Sequence, residues 1–169
     1  PIVHPGTAPQ ELFALDAATG KEKGRFDPKM KTDPTFQHVT CRRVSYYQTP
    51  EAAALPAGAK PALCARRILL PVNDGNLYAL DAETGELCAE FGDNGKLNLQ
   101  SNMPFNKVGG YEPTSPPIVT PTTIVMAGAV TDNYSTKEPS GVVRGFDINT
   151  GKLLWAFDTG AKDPNLLPE

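Results

Sequence analysis

No stretch of this sequence approaches the roughly 20 apolar residues that a membrane-spanning helix needs. Its opening, PIVHPGTAPQ, holds neither the basic nor the apolar part of a secretory leader. The segment is therefore expected to make no membrane contact of its own. Basic runs are missing as well: 16 Lys and Arg stand against 19 Asp and Glu, a net charge of -3. Without a positive field to draw it towards phosphates, nucleic acid is not an expected partner. Cysteine is sparse, with Cys41, Cys64 and Cys88 too widely spaced for a zinc site built on paired short spacings. Buried free thiols are expected, with a Cys41–Cys64 or Cys64–Cys88 bridge as the alternative in an oxidising compartment. Nucleotide-binding glycine loops and a nucleophile elbow are absent, so nicotinamide and hydrolase chemistry have no residues to stand on.

What the sequence does contain is a repeat. LFALDAATGKEKGRF (12–26), LYALDAETGELCAEF (77–91) and VRGFDINTGKLLWAF (143–157) align without a gap. Asp16, Asp81 and Asp147 recur at steps of 65 and 66 residues, each followed by Thr and Gly in register. A return of this regularity marks a repeat architecture whose units bury their faces on one another. Within each unit the pattern is a hairpin: alternating residues up to the Asp, a D-x-x-T-G turn, and a returning strand such as ELCAEF. The repeated Asp is read as a turn residue, because its side chain has local amides to accept from.

Two further strand-like runs precede the second and third hairpins: FQHVTCRRVSYY with ARRILLPVNDG, and SPPIVTP with TTIVMAGAV. Four antiparallel strands per unit, in series and without long helices, predict the blades of a β-propeller. The spans are 1–26 for the end of one blade, 27–91 for the second, and 92–169 for the third with its following loop. The Pro- and Gly-rich stretches 48–62 and 102–117 are expected to be loops. Two blades and a hairpin fall short of the four or more that a closed propeller needs, so the chain is expected to be a piece of a larger protein.

The run A-x-D-x-x-T-G-x-x-x-W-x-F resembles the repeat of the pyrroloquinoline-quinone (PQQ) dehydrogenases. In that family the tryptophan locks blade to blade; Trp155 fills the position here, while Gly24 and Ala89 stand in the other two. Outside the repeat, FQHVTCRRVSYY, LNLQSNMP, YEPTSPPIVT and TIVMAGAVTDNYSTKEPSGVVRGFDINTGKLLWAFDTGAKDPN are similar to the membrane-bound quinoprotein glucose dehydrogenases of Gram-negative bacteria. The resemblance implies an all-β fragment of an eight-bladed propeller. It also implies a parent on the periplasmic face of the inner membrane that oxidises D-glucose or another aldose to the lactone and passes electrons to ubiquinone.

Residue roles follow from the same resemblance. Asp132 and Asn133, at the end of VMAGAVTDN, offer the hard oxygen ligands that Ca²⁺ or Mg²⁺ prefers; taken locally they equally suit a turn. The resemblance assigns them to the metal that holds PQQ. It places His38 of FQHVTCR beside the cofactor and sugar, although taken alone His38 suits a partly buried histidine bonded to backbone. Thr131 is a candidate to hydrogen-bond the cofactor and equally suits a strand end. Arg42, Arg43, Arg66 and Arg67 are candidates for the PQQ carboxylates or for charged strand edges, and Arg144 is expected to serve the fold. The family's aspartate base and the cation over its quinone belong to later blades, so no catalytic residue is expected in this segment. Asp158 and Asp163 lie outside the base motif. The alternative is a non-catalytic propeller scaffold, which shares the D-x-x-T-G repeat but has no need of the Asp132–Asn133 pair.

Overall fold

The computed structural model describes residues 2–3, 10–30, 33, 35–36, 44–101, 103, 109–130, 141–158, 160–161 and 163. Three antiparallel sheets follow one another along the chain. The first comprises β1 (Ile2–Val3), β2 (Leu12–Asp16) and β3 (Glu22–Phe26). In the second, β4 (Ser45–Gln48), β5 (Arg66–Val72), β6 (Asn76–Asp81) and β7 (Lys96–Asn98) pair in sequence order. A two-stranded ribbon joins β8 (Tyr111–Glu112) to β11 (Ala129–Val130), and the third sheet runs β9 (Ile118–Val119), β10 (Thr123–Met126), β12 (Val143–Asp147) and β13 (Leu153–Phe157). Two four-stranded meanders and a partial third are the predicted blades.

The turns explain why the hairpins form. Asp16, Asp81 and Asp147 each accept through Oδ1 from the amides two and three residues on, at 2.8–3.1 Å. Gly20, Gly85 and Gly151 then close each turn by donating to the carbonyl of that Asp, with φ of 70, 77 and 71°. A left-handed residue at this point is cheap only for glycine. The Asp therefore has the local role read from the sequence.

Packing follows the period of two. Leu69, Leu77 and Ala79 of the second sheet face the cluster of Ile124, Met126 and Phe146 in the third. The alternate residues Ile68, Leu70, Tyr78 and Leu80 face Leu12 and Phe26 of the first. The middle sheet is thus covered on both sides, which is why β5 carries an unbroken apolar run, and each fully buried leucine contributes about 2 kcal/mol.

Three expectations are corrected. ELCAEF does not form a full strand: Leu87 makes one isolated bridge to Leu80, and Cys88 donates to the Ala79 carbonyl before the chain leaves the sheet. Positive φ at Gly92, Asn94 and Gly95 turns it back, the Gly95 carbonyl accepts from Ala79, and β7 forms at 96–98, so the second sheet extends past the 27–91 span. Cys64 and Cys88 are joined in a disulfide rather than being free thiols, while Cys41 lies outside the described residues. The 48–62 loop contains one helical turn, α1 (Pro50–Ala53), capped by the Thr49 hydroxyl accepting from Ala52 at 3.2 Å.

Candidate functional site

The antiparallel order sorts the connections onto two ends of the sheets. Ser45 pairs with Leu69 and Gln48 with Arg66, so the start of β4 lies towards the β5–β6 turn. Met126 pairs with Arg144, so the long β10–β12 connection, which carries β11, leaves from the matching end of the third sheet. The D-x-x-T-G turns occupy the other end. The chain segments that lead into His38 and into Thr131–Asn133 therefore attach to one end of the blades.

That end is built on buried polar groups. Gln10, fully buried at φ 64°, accepts through Oε1 from the Asn73 amide at 2.7 Å. Asn73 in turn donates through Nδ2 to Glu112 at 3.3 Å, so first sheet, second sheet and ribbon are tied through side chains 0–2% exposed. Beside them Arg144 lies 5.5 Å from the Tyr111 ring centre and 5.4 Å from that of Phe146. It donates to the carbonyls of Leu99 and Ser101, which fixes the link between second and third blades. Burial lowers the pKa of Arg144, with Tyr111 opposing, and burial raises that of Tyr111. Gly128 lets the ribbon close: a Cβ there would meet the Tyr111 ring and the Glu112 carbonyl at 2.7 Å. Thr131 follows the last residue of β11 directly.

His38, Thr131, Asp132 and Asn133 themselves lie outside the described residues, as do Arg42 and Arg43. Arg66 and Arg67 sit elsewhere: Arg67 pairs in register with Asp81, at the D-x-x-T-G end. Arg66 meets Glu83 at 3.0 Å. Arg67 is neither at the candidate site nor a solvated edge residue; it is buried, with its guanidinium bonded to Cys64, Ile148, Asn149 and Glu90. Arg144 serves the fold, as expected. Cys64, Cys88 and Glu90 cluster within 4.8 Å, but the disulfide removes both thiolates as metal donors. Gln10, Asn73 and Glu112 were missed by the sequence reading. Their one signal was position in loops that bound strands, where polar residues are ordinary.

The family model of the glucose/ethanol/alcohol PQQ dehydrogenase β-propeller domain matches residues 3–169. The chain is 65% identical over 162 residues to the quinoprotein glucose dehydrogenase of Escherichia coli (strain K12), covering 96% of this chain and 20% of that protein. It is 60% identical over 167 residues to quinoprotein glucose dehydrogenase A of Acinetobacter calcoaceticus, covering 96% of this chain and 21% of the relative. Among solved structures, the quinohemoprotein alcohol dehydrogenase from Comamonas testosteroni superposes with a TM-score of 0.65 at 21% identity, over 93% of this chain and 19% of that one. That last likeness shows the fold alone.

Proposed function

The chain belongs to the glucose/ethanol/alcohol PQQ dehydrogenase β-propeller family, and we propose that it forms part of the propeller wall of a quinoprotein glucose dehydrogenase. It spans about a fifth of the length of the relatives it matches. The observation that carries the reading is the 65% identity over 96% of the chain to a protein named for this activity. The parent oxidises D-glucose, or a related aldose, at C1 to the lactone and delivers the electrons to ubiquinone. The Cys64–Cys88 disulfide supports an oxidising compartment and hence the periplasmic face of the inner membrane. The scaffold alternative rests on the shared D-x-x-T-G repeat, and the glycine and alanine at the tryptophan positions Gly24 and Ala89 suit it equally; the identity to the relatives outweighs both.

Within this segment the work is binding and orientation. The carboxylate of Asp132 and the amide oxygen of Asn133 are the donor set that fits Ca²⁺ or Mg²⁺. When bound, the quinone supplies the two-electron acceptor and the divalent ion supplies Lewis acidity beside it. In this reading Thr131 would hydrogen-bond the cofactor and His38 would border the cofactor and sugar. The β8–β11 ribbon, held by Gly128 and by Arg144 over Tyr111, sets where the chain enters Thr131–Asn133. Asp132→Ala in the full-length parent is expected to weaken PQQ affinity at limiting Mg²⁺ and to regain part of it as Mg²⁺ is raised. Unchanged affinity at limiting Mg²⁺ would remove the metal assignment.

A further inference from the structure

The two junctions between the three sheets are closed differently. At the second-to-third junction an aromatic ring covers the turn glycine: Phe91 is fully buried, and a Cβ on Gly151 would lie 3.3 Å from its ring. The Gly92 amide donates to Thr150 at 2.9 Å, and Arg67 bonds the same turn. At the first-to-second junction the corresponding turn glycine is Gly85, and nothing lies within 4 Å of a Cβ placed on it. Phe26, in the register of Phe91, packs instead on Tyr78, with ring centres 5.4 Å apart.

The repeat shows what shape this junction takes. In the third unit Trp155 pairs with Gly145 and lays its indole over that glycine, in the space a Cβ would need. In the first unit the same pair is Gly24 opposite Ala14. With no side chain at Gly24, a cavity of about 390 Å³ runs between the sheets, floored by Leu12, Ile68 and Leu80 and bordered by Gly24 and Gly85. Its rim cations are compensated: Lys23 lies 3.7 Å from Asp16, and Arg25 meets Glu11 and Glu22 at 3.3 and 3.2 Å. The rim also carries Asp81, Glu83 and Thr84, so the cleft is apolar at its floor and polar at its mouth. A ring-sized gap of this make-up, with Lys23 and Arg25 ion-paired, suits a flat ligand without net charge that keeps a polar edge.

We propose that the cavity between Gly24 and the Thr84–Gly85 turn is a binding site for a small, neutral, planar aromatic molecule of indole size. The site is separate from the cofactor end of the blades, because Thr84 and Gly85 belong to the opposite, D-x-x-T-G end. It stands whatever the fate of the glucose dehydrogenase reading.

The test is a titration of the full-length parent with indole, followed by saturation-transfer NMR, with and without PQQ. Saturable binding, equal in both states, is expected for the wild type. The Ala14→Gly/Gly24→Trp double change rebuilds the pair found at Gly145 and Trp155 and should abolish binding while holding or raising the thermal midpoint. Gly24→Leu, which needs no positive φ and meets open space, should block the site in the same way if the double variant does not fold. Absence of saturable indole binding to the wild type overturns the proposal, and so does undiminished binding by a folded variant with the cavity filled.

Discussion

Arg67 of the second sheet donates through Nη1 to the carbonyl of Ile148 in the third, at 3.0 Å. The same nitrogen reaches Asn149 at 3.0 Å, while Nε bonds Cys64 at 2.7 Å and Nη2 meets Glu90 at 2.8 Å. One arm of the guanidinium fork joins the two blades while the other two nitrogens anchor it within the second, and only arginine has that geometry.

Arg67→Met in the full-length parent should therefore cost about 3 kcal/mol, since charge-assisted bonds are lost and buried carbonyls are left without donors. Urea unfolding measures it. A loss comparable to that of an exposed arginine would contradict the inter-blade role.

The disulfide predicts a second loss. Cys64 and Cys88 are both buried and separated by 24 residues, so their bond restricts the unfolded chain by about 3 kcal/mol. The Cys64→Ser/Cys88→Ser double variant should unfold at correspondingly lower denaturant. Alkylation of both thiols in the native, unreduced protein would show that the bond does not form.

How much of this was legible beforehand depended on how local the cause was. Asp16, Asp81 and Asp147 act on amides two and three residues away, so their turns could be read from five letters. The Cys64–Cys88 pairing was only one of two bridges left open, because the bond depends on where the chain just ahead of β5 and the segment after the second D-x-x-T-G turn meet in space. The outer strand was misplaced because Asn94, an ordinary residue on paper, adopts φ 50° between two left-handed glycines and sends the chain out before β7. Arg67 looked like an edge residue because its acceptors are 81 and 82 residues away. At the candidate site Asp132 and Asn133 were read as ligand types and lie outside the described residues, whereas the buried chain of Gln10, Asn73 and Glu112 could not be read at all: burial is a property of three units at once.

Acid stability should carry the signature of the turns. For Asp147, burial raises the carboxyl pKa, but the Thr150 amide and hydroxyl and the Asn149 amide outweigh it and leave the value below the ordinary 3.8. For Asp16 the Thr19 hydroxyl and amide do the same. A depressed folded pKa means stabilisation fully present above the unfolded value and lost as pH falls through the folded one. The stability gap between wild type and Asp147→Asn should narrow as pH is lowered from about 5 towards 2. A gap that stays constant over that range would show that the charge of Asp147 adds nothing to its turn.

The central claim is that this wall of blades belongs to a sugar-oxidising quinoprotein, and it is tested most directly by glucose-dependent dye reduction. The full-length parent would be assayed with PQQ and Mg²⁺ or Ca²⁺, and again with either one withheld. The account predicts turnover only when cofactor and metal are both present. Dye reduction without PQQ, or no glucose turnover despite stoichiometric PQQ uptake, would contradict it.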